Sequence, residues 1–195
     1  MCIRGRILGD SNPHYFYGID LTASYKGFDF RCFLQGVLKH DFWPGESSYF
    51  WGVRGGYSKW YTIGLEQHND YFRDQPIGLE GYELPVNLDS YYPRPITSAN
   101  SNGNTFGSKN QQTQSRYMQN AGYMRLKNLQ LGYSLPKSVL DKVGIANCRV
   151  FVSGENLLTF TSLSSIFDPE TCVGGWGGNA YPLSSTWSFG LSVTF

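Results

Sequence analysis

Large apolar side chains occupy every second position of the last nine residues: Trp187, Phe189, Leu191, Val193 and Phe195. Ser188, Gly190, Ser192 and Thr194 stand between them. Successive side chains of a β-strand point to opposite faces, so the pattern predicts a strand with one oily face and one small polar face. A helix would scatter the same residues around its axis. The same period of two runs through Tyr17, Ile19, Leu21, Ala23 and Tyr25, set against Gly18, Asp20, Thr22 and Ser24. After a tight turn at Lys26-Gly27 it resumes in Phe28, Phe30, Cys32, Leu34, Gly36 and Leu38. Asp20, Asp29, Arg31 and Lys39 all fall on the polar phase. These residues predict a hairpin whose strands are about ten residues or longer, the length a barrel strand needs to cross a bilayer.

Periodicity lapses over residues 40–119, where Trp43-Pro44-Gly45, Gly55-Gly56, Tyr91-Tyr92-Pro93-Arg94-Pro95 and a polar run over 98–115 follow one another. A stretch that long without strands is too long for an ordinary loop of a compact soluble domain. Within it, residues 49–57 suggest a short strand and 63–72 a helical turn. Order returns at Tyr117. Met124 and Leu126 share one phase, whereas Leu129, Leu131 and Tyr133 share the other, which predicts a bulge near Lys127-Asn128. Leu135-Pro136 stops that strand, and residues 137–143 suggest a helical turn ended by Gly144. Residues 149–160 form the next strand, and a second irregular loop covers 161–185 before the last strand. The fold class is therefore all-β, an antiparallel meander of about five long strands in which short links alternate with long ones. Outer-membrane barrels have this asymmetry, with short turns on the periplasmic side and long loops outside, which places Phe195 at the periplasmic rim.

Composition agrees with that picture. Aromatics are 16% of the 195 residues, which suits aromatic girdles or a stacking surface. The net charge of +1 leaves no polybasic footprint for nucleic acid. No run of eighteen apolar residues occurs, so no transmembrane helix is expected, a test to which alternating barrel strands are blind. Cys2, Cys32, Cys148 and Cys172 are too far apart for a zinc site and too sparse for a disulfide framework, and are expected as packed free thiols. The opening residues are too short and charged for a secretory signal.

Several motifs, in order, resemble one family. They are Tyr123-Met124-Arg125-Leu126-Lys127-Asn128-Leu129-Gln130-Leu131-Gly132-Tyr133-Ser134-Leu135-Pro136, Val152-Ser153-Gly154-Glu155-Asn156-Leu157-Leu158-Thr159-Phe160, Asp168-Pro169-Glu170, Tyr181-Pro182-Leu183, the terminal Phe189-to-Phe195 strand and the early Gly9-Asp10-Ser11-Asn12-Pro13. Together they look like the C-terminal part of a SusC/RagA-type TonB-linked (TonB-dependent) outer-membrane transporter. The resemblance covers nearly the whole chain. It implies that residues 1–195 are an open segment of a large transmembrane β-barrel of about twenty-two strands, with long extracellular loops at about 40–119 and 161–185. The family's plug domain, TonB-contacting segment and signal are absent from this sequence, so it is expected to be a fragment. The resemblance further implies import of glycans or oligosaccharides, or peptides, across the outer membrane of a Gram-negative cell. The implied partners are outer-membrane lipid, the barrel-assembly machinery, a SusD-like surface lipoprotein and TonB. No cofactor, metal or nucleic acid is expected.

No catalytic constellation stands out. His14, His40 and His68 lie in irregular sequence without a nucleophile at useful spacing, and no metalloprotease, hydrolase or phosphate-loop motif occurs. Asp168 and Glu170 carry oxygens suited to Ca²⁺, but flanking a proline they are better read as a loop turn. The candidate ligand-binding residues are the loop aromatics Trp51, Trp60, Tyr91, Tyr92 and Trp176, whose flat faces suit sugar rings and peptide side chains; packing of the loops is the competing role. The lipid-facing and assembly residues are Trp187, Phe189, Leu191, Val193 and Phe195. The alternative is a soluble or surface-attached β-sandwich carbohydrate-binding module, in which a second sheet would cover those apolar faces. The terminal aromatic is implied to be read by the barrel-assembly machinery. Deleting Phe195 from the full-length protein is therefore expected to lower the yield of folded, heat-modifiable barrel in the membrane fraction; equal yields would overturn that role.

Overall fold

The computed structural model describes residues 6–45, 47–51, 65–94, 113–142, 144–172 and 180–195. Its long strands are β1 (His14–Tyr25), β2 (Phe28–Lys39), β5 (Tyr123–Ser134), β6 (Asn147–Thr161) and β7 (Thr186–Thr194). The short pair β3 (Asp41–Phe42) and β4 (Gln119–Asn120) and the helical turns α1 (Ser48–Trp51) and α2 (Lys137–Leu140) complete the regular elements. The long strands form one antiparallel sheet in the order β1-β2-β5-β6-β7, a meander as expected. Lys26 and Gly27 both take positive φ, 47° and 88°, the backbone a two-residue hairpin turn demands. Residues 48–51 are helical where a short strand is expected, because Ser47 accepts the Trp51 amide in a turn (3.1 Å) before any strand partner is met; residues 52–57 lie outside the described residues. Glu66–Asn69 form the expected turn, of 3₁₀ type.

Directly opposed residues of an antiparallel pair share a face. The register therefore turns the period of two into rows across the sheet. Ala23, Phe30, Leu131, Val152 and Phe189 make one row, and Leu21, Cys32, Leu129, Gly154 and Trp187 make the next. The opposite face repeats the lesson with polar groups: Thr22, Arg31, Gln130, Ser153 and Ser188 are aligned. The expected bulge is present. Register shifts at Phe33/Leu34 on one side of β5 and at Leu126/Asn128 on the other, with Lys127 the extra residue. Without it, Leu126 and Met124 would point to the polar face.

The apolar face is bare. Trp187, Phe189 and Leu191 are 59%, 83% and 66% exposed, and Leu21, Phe28, Leu131, Val150 and Phe160 are exposed as well. Beyond β3–β4, a pair of two-residue strands, no second sheet exists among the described residues, so the covering layer that a sandwich requires is missing. A twelve-residue strand such as β2 is about 40 Å long, and tilted by about 40° it rises about 30 Å, enough for an apolar band of about 25 Å.

The chain separates into two compact units. One, residues 9–42, 119–171 and 181–195, holds the whole sheet; the other comprises 1–8, 43–118 and 172–180. Adjacent β7 residues on opposite faces give a matched test. In the full-length protein in lipid vesicles, Phe189→Arg is expected to destabilise the fold by about 2–4 kcal/mol, and Ser188→Arg by about 1 kcal/mol or less, read from denaturant unfolding.

Candidate functional site

Two clusters carry the polar and aromatic chemistry of the described residues. The first lies in the 43–118 unit and is built on Phe50, which is fully buried. Around its ring stand Trp51 (5.0 Å between centroids), Tyr92 (5.4 Å), Tyr117 (6.2 Å) and Tyr91 (6.3 Å), mostly edge to face, the arrangement favoured by the ring quadrupole. Trp51 Nε1 donates to the Gly45 carbonyl (2.7 Å). His68 Nδ1 accepts the Leu65 amide (2.9 Å), which leaves the ring proton on Nε2 to donate to the Phe50 carbonyl (3.0 Å). Burial pushes the Tyr92 hydroxyl well above the ordinary tyrosine range and raises that of Tyr117 as well. These hydroxyls stay neutral at any physiological pH.

A network of short bonds holds the 65–94 stretch to itself. Asp70 accepts from Asn87 Nδ2 (2.8 Å) and from the Tyr91 amide (3.1 Å). Arg73, a buried guanidinium, donates to the Pro85 and Asn69 carbonyls (2.8 and 2.7 Å) and stacks on Tyr71 at 4.5 Å. The strand-like bridges Arg73–Asn87 and Ile77–Leu84 complete an excursion whose tip leaves Leu79 and Tyr82 exposed.

Three of the five candidate ligand aromatics, Trp51, Tyr91 and Tyr92, thus lie in one cluster. Tyr92 is 7% exposed and presents almost no ring to a ligand, whereas Tyr91 keeps 36%. Trp60 and Trp176 lie outside the described residues. Phe50 and Tyr117, the ring at the centre and its buried neighbour, escape sequence reading because no periodicity marks them.

The second cluster lies on the polar face of the sheet. Asp20 pairs with Arg31 (2.7 Å) between β1 and β2. Asp29 on β2 and Arg149 on β6 pair across β5, through Nε at 3.0 Å and a second guanidinium contact. They meet directly above Gly132, where any Cβ would collide with both partners. Nearer the long loops, Arg125 Nη2 meets Asp168 at 2.8 Å, Arg125 Nη1 meets Glu170 at 3.3 Å, and Lys127 meets Glu170 at 2.9 Å. Asp168 and Glu170, weighed above for calcium, are thus neutralised by the chain's own cations. No group of three or more metal-ligating side chains occurs among the described residues. The terminal-strand residues stand on the apolar face: Trp187, Phe189, Leu191 and Phe195 are exposed, and Val193, opposite Cys148, is half-buried.

Comparison with known proteins agrees with this geometry. No family model matches the chain. It is 29% identical to TonB-dependent receptor P3 of Formosa agariphila over 201 residues, covering 97% of this chain and 17% of the relative. It is 25% identical to TonB-dependent receptor P26 of the same organism, over 97% of this chain and 18% of the relative. The RagAB peptide importer in its open-open state superimposes with a TM-score of 0.62 at 26% identity, over 97% of this chain and 18% of that chain. The chain therefore spans less than a fifth of the length of the relatives it matches. The family resemblance carried by the sequence motifs is borne out, and so is the all-β antiparallel meander.

Acid should act on the second cluster through Asp168, which lies in the loop. Burial alone would raise its carboxyl, but the Arg125 hydrogen bond, the amides of Glu170 and Leu183 and the Arg125 charge together hold it below the usual carboxylate range. A carboxyl with a lowered folded pKa stabilises fully above its unfolded value, about 3.9, and loses that contribution as pH falls through the folded value. Asp168→Asn is expected to reduce stability at neutral pH and to flatten the acid limb below about pH 5, measured as melting temperature against pH.

Proposed function

We propose that this chain, SusC/RagA-like along nearly its whole length, forms a wall segment of an outer-membrane, TonB-dependent importer of nutrients. The observation that carries the reading is the bare apolar face running across all five long strands opposite a face of ion pairs and small polar residues. Lipid outside and a wet interior inside satisfy both faces at once. A soluble module would have to hide the first, and five strands alone leave two open edges for the rest of the barrel to pair.

On this reading residues 40–119 and 161–185 lie on the outer side, and the Lys26-Gly27 turn and the 135–146 link lie on the periplasmic side. The cargo is a glycan or oligosaccharide, or a peptide. The likeness to solved structures described as peptide importers supports the peptide, and the aromatic loops suit either. Tyr91, with its partly open ring, is the contact residue that the described loops favour. A SusD-like surface lipoprotein and TonB are the partners such a transporter uses. It is a transporter segment and not an enzyme.

The test is uptake by cells producing the full-length protein from its own genome. Accumulation of labelled oligopeptides or oligosaccharides should fall to background when TonB is deleted and return when TonB is restored. Uptake that is indifferent to TonB, or full-length protein recovered folded in the soluble fraction, would sink the proposal.

A further inference from the structure

The charge cluster at Arg125 differs from the other two ion pairs of the polar face. Asp20–Arg31 and Asp29–Arg149 join strand to strand, and their side chains are 28–58% exposed. Arg125–Asp168 joins a strand to a loop, and its side chains are 4% and 6% exposed. A buried pair recovers the cost of desolvation only through good geometry and further hydrogen bonds. Those bonds show what the pair holds.

The Asp168 carboxylate accepts from three donors. They are Arg125 Nη2 of β5 (2.8 Å), the Glu170 amide of its own turn (2.9 Å) and the Leu183 amide (3.1 Å), fifteen residues further along the chain. Arg125 is set for this contact by Nε, which donates to Thr159 Oγ1 on β6 (2.8 Å). One side chain therefore ties both limbs of the loop, residues 162–171 and 181–185, to the same guanidinium. Glu170 does something different: it bridges Lys127 and Arg125 from the near limb.

Each limb also has ties of its own. On the near limb, Phe167 packs edge-on against Phe42 (5.1 Å) and the Ser164 amide meets Gln119 Oε1 (3.0 Å). On the far limb, Asn156 Nδ2 donates to the Ser184 carbonyl (3.3 Å) and Ser185 Oγ donates to the Asn156 carbonyl (2.7 Å). The Asp168–Leu183 bond joins the two limbs directly.

We infer that Asp168 is a clasp, a single carboxylate that closes both limbs of the loop onto Arg125, so that the two limbs leave the polar face together. With the clasp closed the Arg125 side chain is 4% exposed. The inference uses the geometry of the sheet and loop alone and does not depend on what the whole protein transports.

Hydrogen exchange by mass spectrometry on the full-length protein in detergent tests it without any transport readout. Asp168→Ala is expected to speed exchange in both 162–171 and 181–185, by about tenfold or more, while the β5–β6 ladder stays protected. Glu170→Ala is expected to loosen the near limb alone. Release of only one limb by Asp168→Ala, equal release of both by Glu170→Ala, or opening of the ladder along with the loop would each overturn the clasp. Should Asp168→Ala fail to fold, Leu183→Pro removes the far-limb donor and leaves Asp168, Arg125 and the Glu170 amide in place. It should free 181–185 and leave 162–171 as it was; an unchanged far limb would refute the inference.

Discussion

Register is the constraint on which this structure depends. A period of two along one strand says only that the strand has two faces. It becomes a surface when neighbouring strands are aligned so that apolar opposes apolar in every row, as in Ala23, Phe30, Leu131, Val152 and Phe189. A slip of one residue at any of the four interfaces would turn the slipped strand's oily residues to the face that carries the Asp29–Arg149 pair. The bulge at Lys127 belongs to the same constraint. Residues 129–133 and 124–126 have opposite phases in the sequence, and one extra residue lets both satisfy the same two faces. The polar side is fixed as firmly, since the Asp29–Arg149 pair reaches across β5 only because position 132 is glycine.

This explains which parts were legible in the chain itself. β1, β2, β5, β6 and β7 announce themselves because each strand's burial is decided by its own alternation, and even the bulge leaves a trace as a phase change. The Lys26-Gly27 turn is legible for a similar reason: its chemistry is local. The clusters beyond the sheet are not local. Phe50 meets Tyr92 and Tyr117 from more than forty residues away, and its neighbours Ser47 to Trp51 take a helical turn although their composition favours a strand. Arg125 and Asp168 are 43 residues apart. Both lie inside motifs that carry the family resemblance, yet nothing in either motif names the other as its partner. Pairwise chemistry at long separation has no period, so it becomes visible only when the fold is known.

The loop aromatics show how the same residue type can be read two ways. Rings in irregular sequence suggest a stacking surface, and three of them do share one cluster. Burial then divides them. Tyr92 is spent on Phe50 and His68, Trp51 is tied to the Gly45 carbonyl, and Tyr91 alone among these three keeps about a third of its surface. An aromatic loop in water must bury some rings to hold the others in place. The cluster is therefore an internal core for the 43–118 unit, with Tyr91 at its open edge.

The buried charges beside the sheet follow a harsher rule. A guanidinium 4% exposed on an otherwise polar face has no reason to be sealed unless something covers it, and the cover here is the chain's own Asp168-Pro169-Glu170 turn. Removing one member of such a pair leaves an uncompensated buried charge, a loss of about 3–5 kcal/mol and far greater than that of an exposed pair such as Asp20–Arg31. Arg125 and the two limbs thus support each other: the sheet keeps its buried cation while the Asp168 turn is seated, and the cation adds to the limbs' other ties. The two ion pairs that join strand to strand carry no such dependence, since water can take the place of either partner. This difference makes the Asp168 turn part of the sheet's own fold and not a passive start to the connection between β6 and β7.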